Sequence, residues 1–198
     1  MTLPQDIAAL LGSRICHDLV SPIGAISNGV ELLQMSGLSD GPEVELISES
    51  VENANARIRF FRIAFGVASA EQVVGAKEIR DIMRDLTQGS RLTFNWDSSS
   101  DHSRPDVKLA FLMLQCMESA MPWGGQVTVE RDAAQWMITG TTDRMKINQD
   151  HWDALQYGHS SAEIGAAEVQ FLLFPILAAE IGRAAKVSIE ENAITVRF

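Results

Sequence analysis

Of the four histidines in the chain, His17 is the one placed for chemistry. A neutral imidazole nitrogen is a good nucleophile near neutral pH. It can attack phosphorus and hold the group as a phosphoramidate. Asp18 follows directly and can accept a hydrogen bond from the other ring nitrogen, fixing the tautomer and stabilising positive charge that develops on the ring. Arg14 flanks the ring and offers a cation to phosphoryl oxygens, although a solvated surface arginine fits the same position. At 100° per residue, His17 shares its helix face with Ser13, Ser21, Gly24, Asn28 and Glu31. These residues are mostly small or polar, so a second molecule has room to approach. Pro22 inside the same helix removes a backbone donor and costs about 3 kcal/mol, a departure that needs a compensating reason, often a functional one. The plain alternative is a surface histidine with no task. His102 falls in a polar loop, and His151 and His159 flank a short helix. None has metal-like partners at helical spacing, so all three read as surface or loop residues.

The element that carries His17 is one arm of a helical hairpin. Residues 4 to about 70 read as helix, interrupted at Gly37-Leu38-Ser39-Asp40-Gly41-Pro42 by connection-type residues. Ala8, Leu11, Ile15, Leu19, Pro22, Ile26, Val30 and Leu33 form an apolar stripe on the first helix. Val44, Ile47, Val51, Ala54, Ile58, Phe61, Phe65 and Ala68 form one on the second, in steps alternating between three and four. Two helices cannot enclose both stripes. Pairing two hairpins into a four-helix bundle does so, which predicts a homodimer through residues 1–70. The alternative is a monomer whose C-terminal half covers the hairpin.

From residue 71 the pattern changes. Helices are expected over 76–88, 105–121, 151–157 and 162–181, with strands at 91–96, 126–131, 135–142, 187–190 and 194–198 and a polar loop over 98–104. Helices mixed with paired strands predict an α+β sandwich, with helices on one face of a mostly antiparallel sheet. The domain reading is 1–70 for the hairpin and 71–198 for the α/β part.

Bulk properties narrow the function. The chain has 198 residues, 46% hydrophobic and 21% charged, as in a folded globular protein. Its net charge of −10 argues against nucleic-acid binding, which needs a basic surface. No apolar run approaches the roughly 20 residues of a membrane span, and the N-terminus lacks a positively charged leader region. The expected location is the cytoplasm, with no membrane partner. Cys16 and Cys116 lie far apart and outside any C-x-x-C pair, and read as small buried hydrophobes in a reducing compartment.

The run His17-Asp18-Leu19-Val20-Ser21-Pro22-Ile23 resembles the phospho-acceptor box of sensor histidine kinases, H-[DE]-L-x-x-P-[LI]. The longer run Ser13 to Leu33, and Phe60-Phe61-Arg62-Ile63-Ala64-Phe65-Gly66 on the second helix, resemble the ChpT-type histidine phosphotransferases. That resemblance covers nearly the whole chain. It implies a dimeric helical hairpin followed by an α/β sandwich like the ATP-binding domain of a histidine kinase. The kinase boxes themselves are missing. Leu112 and Cys116 stand where magnesium-holding asparagines belong, and hard cations want oxygen. Thr142-Asp143-Arg144-Met145-Lys146 replaces the D-x-G-x-G box, with Asp143 one place off. Gly165-Ala166-Ala167-Glu168-Val169-Gln170 keeps one glycine of the third box, so close backbone approach to phosphates is lost.

The resemblance therefore implies a phosphorelay intermediate that uses no ATP and has no cofactor of its own, Mg2+ being supplied by a partner receiver domain. It implies a hybrid-kinase receiver as donor and response regulators of the CtrA type, in cell-cycle control, as acceptors. His17 is the expected phosphorylated residue, with Asp18 in support. Arg14, Val20, Ser21, Gly24 and Asn28 are the expected docking residues on the first helix. On the second, Arg57, Arg59 and Arg62 form a basic cluster facing the acidic receiver site, and Arg62 is the one retained for docking. Trp123, Trp136 and Trp152 read as core. Rival readings are an ATP-dependent kinase, a non-catalytic receiver-binding scaffold, and a phosphatase in which Ser21 orients a water.

Overall fold

The computed structural model describes residues 7–36, 41–88, 90–133, 135–158 and 163–198. Two long helices come first, α1 (Ile7–Ser36) and α2 (Pro42–Ala64), packed as a hairpin. Residues 37–40 of the expected connection lie outside the described residues, while Pro42 sits in the first turn of α2, where its missing N–H is harmless. Helix α1 runs through Pro22. Close approach of the two helices requires Gly29, because a Cβ there would lie 2.5 Å from Ile47 Cγ1.

The α/β part follows as β1 (Val73–Val74), α3 (Ala76–Thr87), β2 (Leu92–Trp96), β3 (His102–Ser103), α4 (Arg104–Ala120), β4 (Gly125–Asp132), β5 (Gln135–Thr141), α5 (Gln149–Tyr157), a 3-10 turn (Ala166–Glu168), α6 (Gln170–Glu180), β6 (Lys186–Ile189) and β7 (Ala193–Arg197). The main sheet has the order β2-β4-β5-β7-β6. Its pairs are antiparallel except β2–β4, whose crossover contains α4. This is the expected α+β sandwich. Strand alternation puts Val127, Val129, Ile138, Ile194 and Val196 into the core. In the same layer Gly140 lets β5 pass close to α4, since a Cβ there would lie 2.9 Å from Met121 Cε.

Helix α4 is the centre of the core. Its run from Leu109 to Leu114 is buried on every side. Each such large side chain contributes roughly 1.5–3 kcal/mol. The end of α2 enters the same core, where Phe60 stacks on Phe111 at 4.8 Å. Basic side chains of α4 satisfy the open carbonyls at that helix end. Arg104 Nη2 donates to the Arg62 carbonyl (2.7 Å), and Lys108 Nζ donates to that of Gly66 (2.8 Å). The hairpin is thereby tied to the helix at the middle of the α/β core.

Three sequence expectations change. The segment 98–104 is not all loop, because β3 pairs with β1. Its short, polar composition hides it from a hydrophobic pattern. The apolar run over 162–181 is not one helix. The Ala167 carbonyl accepts from the Gln170 and Arg14 side chains instead of continuing a helical ladder, so a 3-10 turn precedes α6. Trp136 and Trp152 are core residues, but Trp123 is half-exposed, with the Arg144 guanidinium 3.8 Å above its ring.

Candidate functional site

His17 projects from α1 with 83% of its side chain exposed. Its helix face is open as expected, with Ser13, Ser21, Gly24, Asn28 and Glu31 all exposed. Val20 stands beside it, 66% exposed. Among the described residues, no side chain or neighbouring element comes within 4 Å of a Cβ built on Gly24, which leaves space for another molecule. Ser21 and Pro22 border a groove of about 500 Å³ between α1, α2 and α3.

Asp18 is the opposite of its neighbour, with only 9% of its side chain exposed. Its Oδ1 lies 3.1 Å from His17 Nδ1. A carboxylate accepts, so the proton of the neutral ring sits on Nδ1 and the lone pair on Nε2. Oδ2 accepts from Arg14 Nε at 2.9 Å and lies 3.7 Å from Arg57 Nη1. The helix geometry explains the split: positions 14 and 18 share one face, while position 17 looks outward.

Several expected site residues are placed differently. Arg14 does not stand beside the ring in solvent. It is buried, pairs with Asp18 and donates through Nη1 to the Ala167 carbonyl. The basic cluster of α2 is neutralised by carboxylates from other elements. Arg57 lies 3.6 Å from Glu118, Arg59 pairs with Asp85, and Arg62 donates to Glu78 at 2.9 Å. Arg62 keeps the most exposed side chain of the three. Cys16 is exposed, because it turns toward the open side of α1, whereas Cys116 is buried as expected. Burial pushes the Cys116 thiol well above its ordinary value.

His102 is not a surface residue. It packs against Trp136 at 4.8 Å between ring centroids and is 3% exposed. Both ring nitrogens are satisfied, Nε2 by Ser98 Oγ (2.7 Å) and Nδ1 by Arg131 Nη1 (2.6 Å). Burial, and then the Arg131 charge, hold its pKa below the usual histidine value. His151 is half-buried beside Phe171, and His159 lies outside the described residues. Among the described residues, no three His, Cys, Asp or Glu gather as a metal site. None of the described helices is long and apolar enough to cross a membrane.

The segments that stand in place of the kinase boxes are among the described residues. Leu112 and Cys116 point into the core of α4, fully buried. Asp143 and Arg144 border an open cleft of about 1040 Å³ with Trp123, Arg91 and the β6–β7 turn.

A model of the histidine phosphotransferase C-terminal domain matches residues 76–193. The sequence is 32% identical to the protein phosphotransferase ChpT of Brucella abortus (strain 2308), over 98% of this chain and 94% of that protein. The chain belongs to the histidine phosphotransferase family. Its fold matches a bacterial phosphotransferase solved at 1.7 Å with a TM-score of 0.81 at 31% identity, covering 100% of this chain and 98% of the other. A histidine kinase domain from Erythrobacter litoralis is a more distant neighbour, 12% identical with a TM-score of 0.44, over 98% of this chain and 93% of that one. Sequence reading named His17 and Asp18, whose side chains the structure places in contact, but not the residues behind them, Glu118, Ala167 and Gln170. The available signal was Gln170, a single amide inside the apolar run Val169-Gln170-Phe171-Leu172-Leu173.

Proposed function

We propose that this phosphotransferase is a phosphorelay intermediate in which His17 Nε2 takes a phosphoryl group from the aspartyl phosphate of one receiver domain and yields it to the aspartate of another. The observation that carries this reading is the pairing of an exposed ring with a buried carboxylate at Nδ1. The Nε2–P bond forms as the P–O bond to the receiver aspartate breaks, and the electron pair leaves on that carboxylate. The Nδ1 proton stays in place, and Asp18 balances the positive charge of the phosphorylated ring. Mg2+ arrives with the receiver and neutralises phosphoryl oxygen charge during transfer.

Val20, Ser21, Gly24 and Asn28 form the docking face on α1, and Arg62 on α2 is a further docking residue. A homodimer through residues 1–70 completes the bundle. Its support is the apolar surface that one hairpin leaves uncovered, including Val30, Val51 and Ile58 of the stripes and Leu46 beside them. ATP has no part in the reaction. The buried Leu112 and Cys116 offer nothing to a nucleotide-bound cation. A hybrid-kinase receiver as donor and CtrA-type regulators as acceptors in the cytoplasm complete the proposal.

The test is transfer of label from a phosphorylated receiver. Wild type acquires acid-labile, base-stable label, and His17→Ala acquires none. Equal labelling of the two proteins would remove His17 from the reaction. Micromolar ATP binding in calorimetry would instead restore the kinase reading.

A further inference from the structure

The carboxylate beside His17 is held from the other half of the molecule. Asp18 Oδ2 takes Arg14 Nε at 2.9 Å and faces Arg57 at 3.7 Å. Each arginine has its far end on the α/β part. Arg14 Nη1 donates to the Ala167 carbonyl in the 3-10 turn, and Arg57 Nη2 lies 3.6 Å from Glu118 on α4. The Ala167 carbonyl is itself fixed from behind. Gln170 Nε2 donates to it at 3.1 Å and to Ser119 Oγ at 2.9 Å, and Gln170 is completely buried. Ser119 in turn donates to the Gln115 carbonyl of α4. A continuous chain of polar contacts therefore runs from the most buried helix, through Gln170, Ala167 and Arg14, to Asp18 and His17.

We infer that the α/β part serves as a positioning frame for the phosphoryl acceptor: the Ala167 carbonyl and Glu118, acting through Arg14 and Arg57, hold Asp18 so that His17 keeps its proton on Nδ1 and presents the Nε2 lone pair. A short carboxylate on an open helix would rotate and hydrate, and the ring would exchange its proton between the two nitrogens. Two cationic contacts on Oδ2, from the buried Arg14 and the partly exposed Arg57, leave Oδ1 aimed at Nδ1. This is the orienting role a third group plays behind a reactive imidazole. Arg14, Arg57 and Gln170 are thus positioning residues. They do not touch the reacting atoms, and the segment where a nucleotide-binding box is missing serves the histidine instead.

The inference rests on His17 as acceptor, but its first readout does not. In the full-length protein labelled with 15N at histidine, the ring shifts report the tautomer directly. Wild type is expected to show a protonated Nδ1 and an unprotonated Nε2; the reverse would overturn the inference without any variant. Arg14→Gln and, as a volume-conserving change on the buried side, Gln170→Met are expected to give mixed tautomers. Their maximal transfer rates should fall about tenfold, at an unchanged half-saturating receiver concentration. Wild-type tautomer and rate in Arg14→Gln would overturn it. So would a raised half-saturation at an unchanged rate, which would make Arg14 a docking residue. If Gln170→Met unfolds, Arg14→Gln alone decides. If His17→Ala still takes label, the acceptor assignment fails while the tautomer result stands separately.

Discussion

His17 and His102 are built from the same kit and finish as opposites. Each has an aspartate and two arginines close by: Asp18 with Arg14 and Arg57, and Asp106 with Arg131 and Arg183. At His17 the carboxylate touches the ring and the arginines stand behind it, so Nδ1 is the protonated nitrogen. At His102 an arginine touches the ring. Its N–H occupies the Nδ1 lone pair, leaving Nε2 to donate to Ser98. One ring is 83% exposed, and the other is sealed against Trp96 and Trp136. The first has a nucleophilic lone pair in solvent beside a charge that welcomes a cationic ring. The second has both lone pair and proton in use, beside a charge that repels a cationic ring. Order of contact and burial, rather than residue composition, separates an open imidazole from a structural one.

The contrast breaks most visibly at Asp18. Asp18→Asn leaves the ring exposed but removes the charge at Nδ1 and permits the other tautomer. Transfer from a phospho-receiver is expected to slow about 100-fold, read as single-turnover label on His17. A loss below about threefold would mean that the carboxylate has no part in the step.

The buried ring should behave conversely. His102→Gln is expected to lower unfolding stability by about 2 kcal/mol, measured in urea, with the transfer rate unchanged. The same residue gives a pH signature. Its folded pKa lies below the ordinary value near 6.5, so the unfolded chain takes up a proton that the native ring refuses. That stabilisation is complete above about pH 6.5 and declines as pH falls through that value toward the folded pKa. Wild type should therefore lose more stability than His102→Gln between about pH 8 and pH 5.5. Parallel curves would show that the ring protonates equally in both states.

The smallest effect sharpens the docking side. Gly24→Arg fills space that none of the described residues occupies. Unfolding stability should hold, while the half-saturating receiver concentration rises about tenfold. An unchanged value would place docking on another face.

Much was legible because it is written in local periodicity. The apolar steps on α1 and α2 follow from 3.6 residues per turn, and the same geometry put His17, Ser21, Gly24 and Asn28 on one open face. Alternation in 126–131 and 135–142 located β4 and β5, and that Leu112 and Cys116 carry no oxygen ligand for a hard cation needed only residue identity. The misplaced residues are those whose partners are distant in the chain. Arg14 looked solvated because its acceptor, Ala167, is 153 positions away, and His102 looked like loop because Arg131 and Trp136 arrive from later strands.

The sequence by itself placed the imidazole, the carboxylate next to it and the open helix face, since all three depend on neighbours within a turn or two. Tertiary structure alone decided what restrains that carboxylate and which of the arginines remains outermost. Long cationic side chains take the buried acceptor that folding brings within reach, and no pattern along the chain specifies which one that is.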